Sequence, residues 1–229
     1  VRDDLTVVYY SSNREDERFE SHIRRNLLAV TGDLPMVSVT QKPSPELGTN
    51  ICVGDVGVSQ NNCKRQILIG AEAAKTKWVA FAEADFLYPH EYFDLAVDEP
   101  AVDTVYFYQP VYFLARKQPV FRMKMYMPEG ASVCSRELVI RETQRALKGK
   151  PEWIGELEDR KDKPNPLSDV PRVTFNGGPA AIIFKTPIAM HRGIRCHGSE
   201  HDVTCLPYWG TASGLWLQFF GGYNGYAKP

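Results

Sequence analysis

The chain has 229 residues, 43% hydrophobic and 24% charged, with a formal net charge of −1. That length can bury a full α/β core, and the near-zero charge gives no whole-protein field that would steer the chain towards a phosphate backbone. No apolar run approaches the roughly 20 residues of a bilayer span, five scattered Cys do not form a disulfide framework, and the opening VRDDLTVV lacks a signal-peptide pattern. A cytoplasmic protein with no membrane span is therefore expected.

In chain order, residues 5–10 (LTVVYY) are β-branched and aromatic and read as a buried strand. Ser12-Asn13-Arg14-Glu15 has the form of a capping box, and Asp16 and Glu17 favour a helix start. Phe19, Ile23, Leu27 and Val30 then repeat at three- and four-residue spacing, with Gly32 as a natural stop. Residues 35–40 (PMVSVT) read as a second strand, followed by a loop with two prolines. A second helix opens at Ser59 and presents Cys63, Ile67, Gly70, Ala71 and Ala74, small enough for close packing on a sheet. Residues 78–82 (WVAFA) show no polar alternation, as in a central strand covered on both faces. Alternating strands and helices imply a parallel sheet.

Beyond this point, TVYFYQPVYFLAR suggests strands broken near Pro110, and residues 135–149 read as a helix ending at Gly149. Residues 152–166 are charged and proline-punctuated, a loop or short helix. In RVTFNGGPAAIIFK, Asn176-Gly177 between two apolar runs signals a hairpin. No repeat or linker divides the chain, so one domain over 1–229 is expected, with 1–95 and 96–229 as its two halves.

Glu83-Ala84-Asp85 closes the central strand. Acidic-x-acidic triplets start at Glu15, Glu83, Glu156 and Glu200, while composition alone predicts roughly 3. Spacing is therefore uninformative and position decides. Ligands of open α/β sheets bind beyond the carboxyl ends of the strands. Two carboxylates placed there could hold Mg2+ or Mn2+ and, through it, the phosphates of a nucleotide; a solvated strand-end turn is the plain alternative.

The stretch NNCKRQILIGAEAAKTKWVAFAEADFLYP resembles the core of GT-A glycosyltransferases, nearest the family 2-like group. Arg65-Gln66 stands where Arg-Asn is usual, and Glu-x-Asp replaces Asp-x-Asp. The likeness covers about the first 95 residues. It implies an α/β fold of GT-A type, with a Rossmann-like mixed, mainly parallel sheet flanked by helices. It also implies a metal-dependent transfer of sugar from a nucleotide-diphosphate donor, UDP-linked and with inversion favoured, to a hydroxyl acceptor. That acceptor is a glycan, a small molecule or a modified DNA base, the last disfavoured by the net charge.

The resemblance assigns residues as well. Tyr9, Tyr10, Ser11, Ser12 and Asn13 would hold the base, Asp55 the uracil or ribose, and Arg65 the base or diphosphate. Asp85 would ligate Mn2+ or Mg2+ directly, with Glu83 on the ribose or a metal-bound water. Glu158-Asp159 resembles the family's catalytic base, with the segment from Glu200 to Asp202 as the other source. His197 or His201 would return to the metal, with His191 in reserve. Purely structural readings stand beside these: a helix cap for Ser12, solvated acids at Asp55, Glu158 and Asp159, a surface Arg65, and surface histidines.

Two rivals remain. A nucleotidyltransferase making sugar nucleotides would open with a Gly-rich phosphate loop, which YYSSNRED lacks. A non-enzymatic α/β binding module would use Cys196, His197, His201 and Cys205 as a structural zinc set, although their spacing matches no strong zinc pattern.

Overall fold

The computed structural model describes residues 2–115, 118–155, 165–186 and 196–221. It is an α/β fold built on one large mixed sheet flanked by helices. Strand β1 (Leu5–Ser11) is followed by α1 (Glu17–Thr31), β2 (Met36–Thr40), β3 (Thr49–Cys52), α2 (Gln60–Ala73), β4 (Trp78–Glu83) and the short β5 (Phe86–Leu87). The second half contributes β6 (Val105–Ala115), β7 (Phe121–Met123), β8 (Ser132–Ser135), α3 (Arg136–Leu147) and β9 (Arg172–Lys185). A two-stranded β10 (Cys205–Leu206) and β11 (Gly210–Thr211) leads into α4 (Ala212–Phe220).

The sheet order is β3-β2-β1-β4-β8-β6-β9-β5, with β7 on β6. Strands β3, β2, β1 and β4 are mutually parallel, whereas β8 runs antiparallel to both β4 and β6. The period-2 alternation of β1 and β4 divides the core between two faces. Leu5, Val7, Tyr9, Ala80 and Ala82 join Leu27 and Val30 of α1 on one side. Val8, Tyr10, Val79 and Phe81 meet Ile67 and Ala71 of α2 and Leu138 of α3 on the other. Phe19 and Ile23, earlier on the α1 stripe, pack with Phe184, Phe219 and Phe220 and so dock α4.

Several local expectations change. Helix α1 is capped by Asp16, whose carboxylate accepts from the amides of Arg18 and Phe19, and not by Ser12. Asn13 sits at φ 49, so the chain turns there before the helix begins. The proline loop ends in an unanticipated edge strand, β3, tied to β2 by the Asn50 amide, which donates to Ser38 Oγ and Thr40 Oγ1 at 2.9 Å each. Strand β6 runs unbroken through Pro110.

Asn176-Gly177 does not reverse the chain. β9 is one strand parallel to β6, and Pro110 alone stands opposite Gly177–Ala180, where the register slips. The Asn176 side chain accepts from the Gly178 amide at 2.8 Å, and Gly178 takes φ 106. Asn-Gly chemistry thus builds a bulge rather than a hairpin.

The small face of α2 is used as its composition suggests. A Cβ on Gly70 would lie 2.5 Å from Val8 Cγ1, a stiff β-branched side chain in the buried centre of β1. Gly70→Ala is therefore expected to destabilise the fold by about 1–3 kcal/mol despite the better helix propensity of alanine. Urea denaturation checks this, the expected result being a lower midpoint at unchanged m-value.

Candidate active site

Strands β1, β2 and β4 end level with one another, Ser11 opposite Thr40 and Tyr10 opposite Glu83. Beyond these ends opens a cleft of about 140 Å³, closed on one side by the N-terminal turns of α2. One end of it is lined by neutral polar groups: Ser11, Gln41, Ser59, Asn62 and Gln66. The other end is acidic, lined by Glu15, Glu83 and Asp85.

Glu83 is held on three sides. The Tyr10 hydroxyl donates to its Oε1 at 2.5 Å. Its backbone amide donates at 3.0 Å to Tyr88 Oη, which in turn donates to the Gly130 carbonyl at 2.5 Å. The backbone of Gly130 lies so close that an added Cβ would be 2.5 Å from Glu83 Cδ. That turn is itself anchored to α2 through the buried Lys64, which pairs with Glu129. Burial pulls the Lys64 pKa down, and the Glu129 charge and hydrogen bond, together with Cys63 and Glu83, leave it raised.

Asp85 lies in the turn between β4 and β5, where its carbonyl accepts from the Phe184 amide at 2.8 Å. Burial, then the charges of Glu83 and Glu15, lift its pKa well above the ordinary carboxylate range, while Lys185 acts in the opposite sense. The Glu83 pKa is also raised, by burial first and then by Glu129, against the Tyr10 hydrogen bond and Lys64. The Tyr10 hydroxyl is pushed up by burial and by Glu83. Burial and like charge thus disfavour the anionic forms on this half-buried turn.

Of the residues singled out in the sequence, Tyr10, Ser11, Ser12, Glu83 and Asp85 line the cleft. Tyr9 points to the opposite face of β1 and is buried in the core. Asn13 lies behind the cleft wall as a clamp: its Oδ1 accepts from the amides of Gln41 and Lys42 and its Nδ2 donates to Glu20. Its polar groups are spent on joining the β1–α1 loop to the loop after β2. Asp55 stands on an exposed loop, 3.5 Å from Arg14. Arg65 faces away from the cleft and donates to the carbonyls of Lys150, Pro151 and Glu152.

His197 and His201 lie together beside β7, their ring centroids 5.4 Å apart, outside the cleft lining. Asp202 is engaged at 3.5 Å by Arg122. Glu158, Asp159 and His191 lie outside the described residues.

The cleft-lining residues passed over in the sequence are Glu15, Gln41, Asn62 and Gln66. Ser59, Asn62 and Gln66 were legible as a polar stripe at helical spacing. Gln66 donates to the carbonyls of Ser11 and Val39, both at 2.9 Å. Asn62 bridges the Val56 and Ile154 carbonyls. The stripe fastens the cleft walls to two strand ends.

Glu83 and Asp85 offer the hard oxygen donors that Mn2+ or Mg2+ prefers, and a divalent cation would relieve their mutual repulsion, so the donor set fits such an ion. Among the described residues no three His, Cys, Asp or Glu side chains form a ligand set. A cation here would have to complete its shell with oxygens from outside the protein, as Mg2+ commonly does. For the same reason Cys196, His197, His201 and Cys205 do not assemble a zinc site among the described residues.

No protein-family model and no curated protein matches this sequence. Solved structures with a similar course include the inositol-1-phosphate CTP transferase of T. maritima, at 13% identity and TM-score 0.46 over 82% of this chain and 92% of that one. S. aureus TarS 1–349 matches at 12% identity and TM-score 0.47, over 79% of this chain and 60% of its own. The mannosyltransferase PcManGT from Pyrobaculum calidifontis, in complex with GDP-Man and Mn2+, matches at 15% and 0.44, over 83% and 58%.

The raised pKa of Asp85 has a definite sign. The folded state holds a proton that the unfolded chain has already released, so stability falls as pH rises from the ordinary carboxylate range through the raised value. Asp85→Asn is expected to melt at the same temperature as the parent at about pH 4 and above it at about pH 8 without metal, measured by calorimetry.

Proposed function

We propose that the chain is a GT-A-type, metal-dependent glycosyltransferase that takes a nucleotide-diphosphate sugar, UDP-linked by preference, and transfers the sugar to a hydroxyl acceptor with inversion. The observation that carries this reading is the Glu83-Ala84-Asp85 turn: a carboxylate pair at the end of a central parallel strand, opening into a cleft between β1, β2 and α2. The strand order β3-β2-β1-β4 and the resemblance of residues 61–89 support it.

On this reading the neutral end of the cleft takes the nucleoside, through Ser11, Gln41 and the α2 stripe, and the acidic end takes the diphosphate. Tyr10 and the Gly130 turn fix the Glu83 carboxylate so that it need not reorganise when the donor binds. Asp85, whose carbonyl is held by the Phe184 amide, is the direct ligand of Mn2+ or Mg2+, and Glu83 meets the ribose or a metal-bound water. The bound ion supplies Lewis-acid neutralisation of charge on the departing diphosphate. A carboxylate must accept the proton of the attacking hydroxyl, and we assign it to Glu158-Asp159. Asn13, Asp55, Arg65, His197 and His201 are not used at the reacting centre.

A panel of nucleotide sugars, with and without Mn2+, scored for binding and for slow donor hydrolysis, tests the reading. At least one donor is expected to bind, with metal-dependent turnover. In Asp85→Asn that turnover should fall by about 10³-fold or more, with the fold intact by circular dichroism. Mn2+ should raise the melting temperature of the parent and leave that of Asp85→Asn unchanged. Absence of nucleotide binding in every condition overturns the proposal. Formation of a nucleotide sugar from a nucleoside triphosphate and a sugar phosphate would replace it by the nucleotidyltransferase.

A further inference from the structure

The neutral end of the cleft contains a side chain whose hydrogen-bonding role is already settled by its neighbours. Gln66, on α2, is 3% exposed and lines the cleft. Both hydrogens of its Nε2 are given away at 2.9 Å, one to the Ser11 carbonyl of β1 and one to the Val39 carbonyl of β2. The carboxamide therefore cannot turn over. A half-turn would set Oε1 against two carbonyl oxygens and strip both of their donor, and buried polar groups left unpaired cost more than one new hydrogen bond returns.

Oε1 is what remains. It accepts from no donor among the described residues. Unlike Tyr9 Oη, it is not one of their sealed, partnerless atoms, so it opens onto the cleft that its side chain lines. The rest of this wall has few acceptors to spare. The Gly57 carbonyl takes Gln41 Nε2 at 2.6 Å and Asn62 Nδ2 at 3.2 Å, and the Val56 carbonyl takes Asn62 Nδ2 at 2.7 Å. Hydrogens are left over instead. The Ser59 hydroxyl accepts from the Asn62 amide at 3.0 Å and keeps its own proton. Gln41 gives only one of its two Nε2 hydrogens and, with its Oε1 also unspent, can meet either kind of group. Gln66 can meet only a donor.

We propose that Gln66 is the specificity-determining residue for the base of the nucleotide donor, a role that rests on the functional reading above, and that its Oε1 accepts the ring N–H of uracil. Uracil brings a single hydrogen on that edge, between two carbonyls, which matches one fixed acceptor beside spare hydrogens. Cytosine and adenine meet Oε1 with the lone pair of a ring nitrogen, or with an amino group whose second hydrogen finds the nearby carbonyls engaged. Guanine adds an amino group of the same kind beside its ring N–H. Discrimination thus comes from groups left unpaired with the wrong base as much as from the bond made with the right one. Asp55, the acid expected at the base, is exposed and outside the cleft lining, which leaves the reading of the base to the cleft wall.

The test is calorimetric titration, with Mn2+ present throughout, of uridine, cytidine, guanosine and adenosine diphosphates and of 3-methyluridine diphosphate, which keeps both carbonyls and lacks the N–H. The parent is expected to bind uridine diphosphate about tenfold or more tighter than each of the others. In Gln66→Met the ratio of uridine to cytidine affinity should collapse to within about threefold. A residue that merely supported the wall would weaken all the nucleotides alike and leave that ratio in place, so an unchanged ratio overturns the assignment. Should Gln66→Met fail to fold, the 3-methyluridine comparison on the parent decides, and equal affinity for the methylated and unmethylated forms overturns the proposal. A parent that binds every base equally, or another base best, also overturns it, and leaves the transferase reading standing. A parent that binds none of the nucleotides overturns the functional reading, and this assignment with it.

Discussion

The site depends on the confinement of the Glu83 carboxylate between the Tyr10 hydroxyl and the backbone of Gly130. A half-buried carboxylate is costly unless its oxygens are hydrogen-bonded, and here β1 provides the bond while the turn before β8 closes the space behind. That turn cannot drift. Tyr88 accepts from the Glu83 amide and donates to Gly130, and Tyr92 donates to the carbonyls of Phe81 and Ser132. The rings of Phe86, Tyr88 and Tyr92 stack in succession beneath, with Phe93 and Tyr108 edge-on to Tyr92. Aromatic burial stabilises the scaffold that fixes a destabilising pair of acids. The acids are the part of the molecule least explained by stability, which is the physical reason to attach function to them.

Helix α2 couples this scaffold to the neutral end of the cleft. Its inner face is small, so Gly70 and Ala71 bring the backbone down onto β1 and β2. That depth brings Gln66 within reach of the Ser11 and Val39 carbonyls and Lys64 within reach of Glu129. A bulkier inner face would lift the helix and loosen both contacts together. Packing at Gly70 and polar geometry in the cleft are therefore one constraint seen from two sides of the same helix.

The sequence was most legible where one periodicity had one physical cause. The α1 stripe, the Gly32 stop, the Ser59 cap and the uninterrupted apolar run of β4 all appear as read, because burial on one face or on both leaves a direct pattern. It was least legible where one residue type serves two ends. Asn13 and Arg65 have the chemistry of ligand-binding groups, yet both are spent on backbone partners distant in sequence, and only the fold reveals them. Asn176-Gly177 is competent for a reversing turn, but a parallel partner strand with its own irregularity at Pro110 turns it into a bulge. Glu15 and Thr186 meet across 171 residues of chain, and no local spacing could signal that meeting.

The division of the cleft into a neutral and an acidic end also sets the order in which it can fill. With Glu15, Glu83 and Asp85 clustered, a free diphosphate approaching alone meets like charge, which screening by salt weakens only in part at such short range. On the proposed reading, a divalent cation bound at the turn reverses that sign, and by linkage the diphosphate must tighten the cation by the same factor. A turn whose protein ligands number two is weak by itself and strong only with substrate oxygens in the shell. Metal and donor then occupy the site as a pair. On that reading the incomplete shell would make the ion part of substrate recognition and not a permanent fixture of the fold.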